Sequence, residues 1–266
     1  MRTRIASSAV GLPLLWLAVW AGGVWFSVLV AAAAAMAALE VCDMARRRGR
    51  RPAPYVAVVG SVGLVAAAHV ARGDLAPPLP ALAAAAALAS VVWLLRRPGP
   101  TGWPADIGVT VSAVLYPGAL LFYGPLLRGL DHGFDWVLVA VLVTFAADTT
   151  AFFVGRSLGR RTLAPRLSPG KTWEGAIGGV AGAAAMGAAS ALAFDLGVTL
   201  ASGLLLGAML GVVGQLGDLG ESVLKRAAGV KDSGRIIPGH GGMLDRLDSI
   251  VFNLALVYHS VLWAVQ

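Results

Sequence analysis

The sequence predicts an all-α, polytopic integral membrane protein with about nine transmembrane helices. Three observations lead to this prediction. The chain of 266 residues is 58% hydrophobic and only 13% charged, and its mean hydropathy is +0.76, whereas a soluble domain carries about 25% charged residues. Apolar stretches close to the ~20 residues that cross a bilayer recur between charged or Pro- and Gly-rich clusters. The loops that carry most of the Lys and Arg residues would lie on the same face of the membrane.

The predicted spans follow one another along the chain with short loops between them. They are residues 6–22, 24–42, 55–71, 79–95, 107–127, 135–154, 174–194, 199–217 and 243–264. We interpret the first span as a membrane helix and not as a signal peptide, because many further spans follow it and it ends in no clear cleavage site. Residues 1–130 are predicted to form an N-terminal scaffold of helices, and residues 131–266 a C-terminal catalytic region.

The distribution of basic residues predicts the orientation in the membrane. If the N-terminus and the loops after even-numbered spans share one face, that face receives all 21 Lys and Arg residues except Arg72 and Arg128. The positive-inside rule makes this face cytoplasmic, so we expect a multi-pass protein of the cell (inner) membrane with its N-terminus in the cytoplasm. Contact of the arginines with membrane lipid is expected. Nucleic acid is not expected as a partner, since no basic stripe is interleaved with aromatic residues.

Two polar islands interrupt the apolar sequence of the second half. The first polar island is residues 156–174, and the second polar island is residues 218–248. All three lysines of the chain, Lys171, Lys225 and Lys231, lie in these islands, whereas the arginines are spread over the chain. Lysine ammonium groups, carboxylates and closely spaced glycines together are typical of a site that binds a metal ion and a nucleotide. Both islands are predicted to face the cytoplasm.

Four carboxylates of the second polar island have a spacing that favours metal binding. Asp218 and Glu221 stand at i and i+3, and so do Asp245 and Asp248, so each pair points from one face of a helix. Two such pairs meeting across a loop would form an octahedral oxygen site suited to Mg²⁺. The alternative, a salt-bridged cytoplasmic loop, does not explain carboxylates near span ends together with close-set glycines. His240 has three open roles: a hydrogen-bond donor to phosphate, a proton carrier or a structural residue.

An ionisable residue inside a predicted span is a second functional candidate. Asp148 lies within the apolar span 135–154, where a carboxylate is costly unless it lines a cavity or has a partner. We predict a functional role for Asp148. Pairing with a nearby arginine for helix packing is the alternative.

The first polar island contains a candidate anion-binding turn. Residues 168–172 read S-P-G-K-T and precede a predicted helix N-terminus, whose N–H groups attract anions. The run lacks the first glycine of the phosphate-binding loop frame, so an ordinary basic loop is an equal alternative. Glu174 is a candidate cap of the helix that follows.

The two islands together carry a family resemblance. The second reads S-x-x-K-R-x4-K-D-x-G-x3-P-x-H-G-G-x-x-D-R-x-D from Ser222 to Asp248. A longer run that contains the first begins with A-D-T-T-A-F-F-V-G-R and ends with S-P-G-K-T-W-E-G. Over residues 144–252 the chain resembles the phosphatidate cytidylyltransferases (CDP-diacylglycerol synthases). The resemblance implies a helical inner-membrane enzyme that forms CDP-diacylglycerol and pyrophosphate from CTP and phosphatidate. It also implies Mg²⁺, a monovalent cation such as K⁺, and a homodimer.

The resemblance also implies roles for individual residues. It assigns the metal to Asp218 and Asp245, with Asp248 in support. The expected catalytic residues are Asp218, Asp245, Lys225 and Asp248. The expected substrate-binding residues are Lys171, Arg226, Lys231, Ser222, His240 and Asp148.

An anionic nucleophile simplifies the expected mechanism. The phosphate oxygen of phosphatidate is already charged at neutral pH, so catalysis consists of positioning and charge neutralisation and needs no strong general base. Two other functions fit part of the sequence. A CTP-dependent lipid-alcohol kinase needs similar groups but releases CDP, and a lipid or nucleotide transporter also carries embedded carboxylates and basic vestibules.

Overall fold

The computed structural model describes residues 2–71, 88–93, 102–234 and 241–265, and most of these residues are helical. The named helices are α1 (Arg2–Ala21), α2 (Gly23–Arg46), α3 (Pro54–Ala71), α4 (Trp103–Val114), α5 (Tyr123–Arg128), α6 (Gly133–Leu158), α7 (Trp173–Ala193), α8 (Leu200–Ala228), α9 (Leu244–Leu247) and α10 (Ile250–Val265). A π-helical turn, Leu115–Ala119, follows α4, and two short strands precede α7. Most of the predicted span 79–95 lies outside the described residues.

Six helical segments of the described chain are long and apolar enough to cross a membrane. They are Gly23–Arg46, Pro54–Ala71, Trp103–Arg128, Gly133–Leu158, Trp173–Ala193 and Leu200–Ala228. Large apolar side chains on these helices are exposed, including Trp25 (73%), Val59 (71%) and Leu192 (77%). Such exposure over many helices is incompatible with water as the solvent and is expected in lipid. The protein is therefore a helical, multi-pass membrane protein.

The chain forms two compact units. The first comprises residues 1–129 and 225–247, and the second comprises residues 130–224 and 248–266. The predicted catalytic region, residues 131–266, contributes to both units. Its division from an N-terminal scaffold stays a prediction, because compactness does not report on catalysis.

Small residues of α2 contribute to the core of the first unit. Ala34, Ala37 and Ala38 are fully buried, and Ala37 and Ala38 pack in one cluster with Ala113 of α4 and Leu244 of α9. Alanine side chains let helices approach closely, which favours van der Waals packing in a membrane. The apolar cluster therefore joins the C-terminal half of α2 to the segment that follows α8.

Glycines set the close helix packing of the second unit. A Cβ at Gly178 of α7 would lie 2.7 Å from Val154 of α6. A Cβ at Gly211 of α8 would lie 2.8 Å from Ala183 of α7. Small residues therefore let these helices approach closely.

A β-hairpin in the first polar island was not predicted. β1 (Thr162–Ala164) pairs in antiparallel register with β2 (Ser168–Thr172), and α7 begins directly after β2. Thr172 is the N-cap of α7, since its hydroxyl accepts a hydrogen bond from the backbone of Gly175 at 3.1 Å. The prediction that Glu174 caps this helix needs correction: its carboxylate accepts from the backbone N–H groups of Arg160 and Arg161 and closes the hairpin.

Candidate metal and nucleotide site

Three carboxylates of the second unit converge on one point. Asp218 and Glu221 lie on α8 at i and i+3, and Asp248 precedes α10. Each residue offers a carboxylate oxygen, and these oxygens lie within 4.8 Å of one another. Glu221 is fully buried, whereas Asp218 and Asp248 are partly exposed. We call these three residues the carboxylate triad.

Two glycines of α8 bring Asp248 to the other two carboxylates. A Cβ at Gly217 would collide with the Phe252 ring and with the backbone carbonyl of Asp248. A Cβ at Gly214 would lie 3.0 Å from the amide nitrogen of Asn253. Because both glycines lie on one side of α8, one helical turn apart, the last helix can rest directly on the α8 backbone.

Lys171 supplies the counter-charge beside the triad. Its Nζ lies 2.6 Å from Oδ2 of Asp218, with both side chains about one quarter exposed. Lys171 is in β2, one residue before the cap of α7, so the hairpin fixes where its ammonium group can reach. The sequence predicted functional roles for both residues, and the fold makes them ion-pair partners.

The triad has the charge and ligand chemistry of a divalent-cation site. Three carboxylates against one ammonium leave an excess of negative charge. Carboxylate oxygens are the ligands that Mg²⁺ prefers, and Mg²⁺ commonly uses only a few of them, with water or phosphate oxygens in the other positions. The residues present therefore fit the cation that the sequence predicts, and they include Glu221, which the i and i+3 spacing had placed at the metal site but the family resemblance had not.

Asp245 belongs to a separate polar cluster in the first unit. Lys225 Nζ donates to its Oδ1 at 2.7 Å, with both side chains largely buried. The backbone N–H groups of Ser233 and Gly242 each donate to its Oδ2 at 2.9 Å. The Asp245 carboxylate therefore ties the end of α8 to both sides of the loop between α8 and α9.

These hydrogen bonds hold Asp245 in its ionised form. Burial raises the pKa of its carboxyl, but the donors outweigh this effect: the Lys225 ammonium, then the amides of Gly242 and Ser233. The pKa of Asp245 is consequently lower than the usual value of 3.8.

The remaining predicted site residues lie at several positions. Arg226 donates through Nη1 to the carbonyl of Val230, two residues beyond the end of α8, at 2.9 Å. Lys231 is exposed in the loop after α8. Ser222 is buried on α8. Asp148 has an exposed side chain on α6 and does not belong to the triad.

His240 lies outside the described residues. Its predicted roles therefore stay open.

The sequence reasoning missed one buried acid altogether. Glu40 of α2 is only 2% exposed and faces three hydrogen-bond donors: the Ser233 hydroxyl and the backbone N–H groups of Met243 and Leu244. The signal that singled out Asp148, an ionisable group inside an apolar span, is equally present in the span 24–42. The same criterion, applied evenly, would have found Glu40.

Comparison with known proteins assigns the chain to a family. The model of the cytidylyltransferase family matches residues 2–264, nearly the whole chain. The chain belongs to the cytidylyltransferase family. It is therefore an enzyme, a nucleotidyltransferase.

Relatives of this cytidylyltransferase carry one name. The phosphatidate cytidylyltransferase of Brucella abortus is 37% identical over 97% of this chain and 92% of its own length. That of Synechocystis sp. is 35% identical over 97% of this chain and 95% of its own length. That of Bacillus subtilis is 43% identical over 58% of this chain and 57% of its own length. The similarity confirms the family resemblance and extends it to the first half, which the motifs alone did not cover.

Proposed function

We propose that this cytidylyltransferase transfers the cytidylyl group of CTP to phosphatidate, giving CDP-diacylglycerol and pyrophosphate. The names of relatives that align over nearly the whole chain support the two substrates. The carboxylate triad with Lys171 beside it is the observation that carries the proposal, because it is suited to a metal–triphosphate complex. The helical membrane fold suits a diacyl substrate that stays in the bilayer.

The reaction joins two polyanions. A phosphate oxygen of phosphatidate attacks the α-phosphorus of CTP, a new P–O bond forms, and the bond between the α-phosphorus and the bridging oxygen breaks. The electron pair of that bond leaves with pyrophosphate. The attacking oxygen is already ionised, so no residue needs to remove a proton from it. The enzyme must overcome charge repulsion and hold the reactants in line.

We propose that Asp218, Glu221 and Asp248 hold Mg²⁺. When bound, the cation supplies positive charge to triphosphate oxygens, where negative charge accumulates as pyrophosphate leaves. Lys171 contributes a fixed ammonium group on the same side, held by its ion pair with Asp218. The cation and Lys171 together would offset the charge of the incoming phosphates.

Lys225, Arg226 and Lys231 are proposed to neutralise the outer phosphates of CTP. All three lie on the segment from the end of α8 into the following loop. Lys225 is held by Asp245, so its ammonium group is oriented before substrate arrives. An oriented charge needs little reorganisation when the transition state forms, which is the basis of electrostatic catalysis.

Other site assignments stay predictions that mutation can test. Asp245 was predicted to be a metal ligand, yet its oxygens already accept hydrogen bonds from Lys225, Ser233 and Gly242. We therefore favour an organising role for Asp245. Substrate binding by Ser222, His240 and Asp148 is proposed from the sequence alone.

The membrane arrangement and assembly are also proposals. Nine spans result if α1, α10 and the sequence-predicted span 79–95 cross the bilayer in addition to the six helical segments above. A cytoplasmic N-terminus and active site follow from the distribution of basic residues. A homodimer and a monovalent cation such as K⁺ follow from the resemblance. Native mass spectrometry and activity in K⁺ compared with tetramethylammonium would test the last two.

Product analysis tests the proposed reaction. Detergent-purified protein is incubated with phosphatidate and CTP labelled with ³²P at the α-position, with Mg²⁺ present. We expect label in a lipid product and release of unlabelled pyrophosphate. Label that stays in CDP, with phosphate transferred to a lipid alcohol, would identify a kinase. No turnover, with transport of lipid or nucleotide into vesicles, would identify a transporter.

A further inference from the structure

Glu40 is a buried acid that the proposed chemistry does not use. It lies on α2 near the end that precedes the Arg-rich loop, with 2% of its surface exposed. Burying a carboxylate in an apolar bundle is costly unless hydrogen-bond donors satisfy it. The donors that face Glu40 therefore indicate which part of the structure this residue stabilises.

Three hydrogen-bond donors to Glu40 come from the two ends of one segment, residues 233–244. Met243 N–H donates to Oε1 and Leu244 N–H donates to Oε2, both at 2.8 Å. The Ser233 hydroxyl lies 2.9 Å from Oε2. Ser233 and Met243 lie between α8 and α9, Leu244 is the first residue of α9, and all three belong to the same compact unit as Glu40. One carboxylate thus joins the beginning and the end of the segment 233–244.

The loop backbone rests directly on the Glu40 carboxylate. A Cβ at Gly234 or at Gly242 would collide with Glu40 oxygens, and one at Gly242 would also collide with the Ser233 hydroxyl. Glycine at both positions lets the chain approach this closely. Gly234 of the D-x-G motif and Gly242 of the H-G-G motif therefore lie against the Glu40 carboxylate.

Ser233 connects Glu40 to Asp245. Its hydroxyl oxygen lies 2.9 Å from Glu40 Oε2 and 3.0 Å from Asp245 Oδ2, and its backbone N–H donates to Asp245. The hydroxyl has one proton, so it donates to one of the two carboxylates at a time. Asp245 in turn receives the Lys225 ammonium at 2.7 Å. A continuous polar chain therefore runs from α2 to one of the proposed phosphate-binding residues.

We propose that Glu40 is a positioning residue for cytidylyl transfer. It fixes the ends of the loop 233–244, and through Ser233 and Asp245 it holds Lys225 in place. This inference rests on the proposed function and makes the N-terminal half part of the catalytic apparatus. Glu40 itself contacts no substrate.

A carboxylate suits this position because it only accepts hydrogen bonds. Oε1 and Oε2 each face a backbone N–H group of the loop. Glutamine has the same shape but offers one acceptor oxygen, and its NH₂ group would face the other backbone N–H. Glu40→Gln therefore removes at least one loop anchor with little change in volume.

The test combines turnover with amide hydrogen exchange. In Glu40→Gln we expect kcat per folded molecule to fall on the order of 10²-fold, since a loop displaced by about 1 Å can cost that much. Exchange in a peptide spanning 241–247 should become at least about tenfold faster, because an anchored N–H loses its acceptor. Exchange in α7 should not change. Asp43→Asn is the matched control, since it removes an exposed acid one turn further along α2.

Each outcome decides the proposal. Wild-type kcat in Glu40→Gln would overturn it, and so would a loss that disappears after correction for the folded fraction. Wild-type exchange in the peptide would also overturn it. If Glu40→Gln does not fold, Ser233→Ala decides: we expect about a tenfold loss of kcat, and wild-type kcat would refute the link.

Failure of the proposed function gives a different result. The wild-type protein would then show no transfer from CTP to phosphatidate. The exchange measurement still reports whether Glu40 anchors the loop, because it needs no substrate.

Discussion

Glu221 distinguishes the metal site seen in the structure from the ligand set that the family resemblance implied. The resemblance assigned the metal to Asp218 and Asp245, whereas the fold brings Glu221 to Asp218 and Asp248. The substitution Glu221→Gln keeps the side-chain shape and removes one negative charge. It should therefore have opposite effects on the metal-free and the metal-bound protein.

The magnitude follows from the spacing of the triad. Two unit charges within 4.8 Å of one another repel by about 3.5 kcal/mol at an effective dielectric constant of ~20. Glu221→Gln removes two such repulsions. The substitution also removes the attraction between Glu221 and the Lys171 ammonium group, which lies beside Asp218, and this loss offsets part of the gain. We expect a net gain of about 1 to 2 kcal/mol in the metal-free protein, or a rise in Tm of about 4 °C.

Thermal melting with and without metal measures both effects. The enzyme is stripped with EDTA, and tryptophan fluorescence is followed on heating while Mg²⁺ is added. In wild type, Mg²⁺ should raise Tm by mass action. In Glu221→Gln the metal-free Tm should be higher and the Mg²⁺ response should be lost. Asp195→Asn is the control for loss of an acidic residue, because Asp195 lies just beyond the C-terminal end of α7. A lower metal-free Tm or a wild-type Mg²⁺ response in Glu221→Gln would refute the reasoning.

Three further substitutions test other parts of the account. Lys171→Met should lower kcat/KM for CTP by about 10- to 100-fold, because a charge-assisted contact is lost; an unchanged value would exclude its role. Asp245→Asn should lower stability by about 3 kcal/mol, because Lys225 loses its buried partner. Since folding depresses the pKa of Asp245, its contribution is complete above about pH 4 and fades as pH falls further. Melting curves of wild type and variant should therefore converge in acid, and a constant gap would contradict this. Gly217→Ala should weaken the Mg²⁺ response, because its methyl group displaces the last helix, whereas Gly220→Ala meets open space and should not; equal responses would argue against the packing.

Much of the fold could be predicted because a helix that crosses the bilayer needs about 20 mainly apolar residues. Span length and a low density of charge gave helices close to those observed, including residues 24–42, which lie within α2. The hairpin 162–172 could not be found this way. Its strands are short and polar, and they depend on Glu174 accepting N–H groups from Arg160 and Arg161.

The sequence identified the residue types of the site better than it identified which residues contact one another. The i and i+3 spacing correctly put Asp218 and Glu221 on one side of a helix. Spacing alone could not show that Asp245 faces Lys225 while Asp248 joins the triad, since Asp245 and Asp248 are three residues apart. That difference arises because α9 ends at Leu247, and the chain then starts a new helix.

Contacts between residues far apart in the chain could not be predicted from the sequence, for a different reason. Glu40 meets its loop partners across about 200 positions of chain, and no local periodicity encodes such a distance. Only the cost of a buried acid in an apolar span pointed to it.

A crystal structure with Mn²⁺ in place of Mg²⁺ tests the central claim most directly, because Mn²⁺ favours the same oxygen ligands and scatters anomalously. We predict an anomalous peak bonded to carboxylate oxygens of Asp218, Glu221 and Asp248. A peak bonded to Asp245 and not to Glu221, or no peak at the triad when Mn²⁺ supports turnover, would contradict the account.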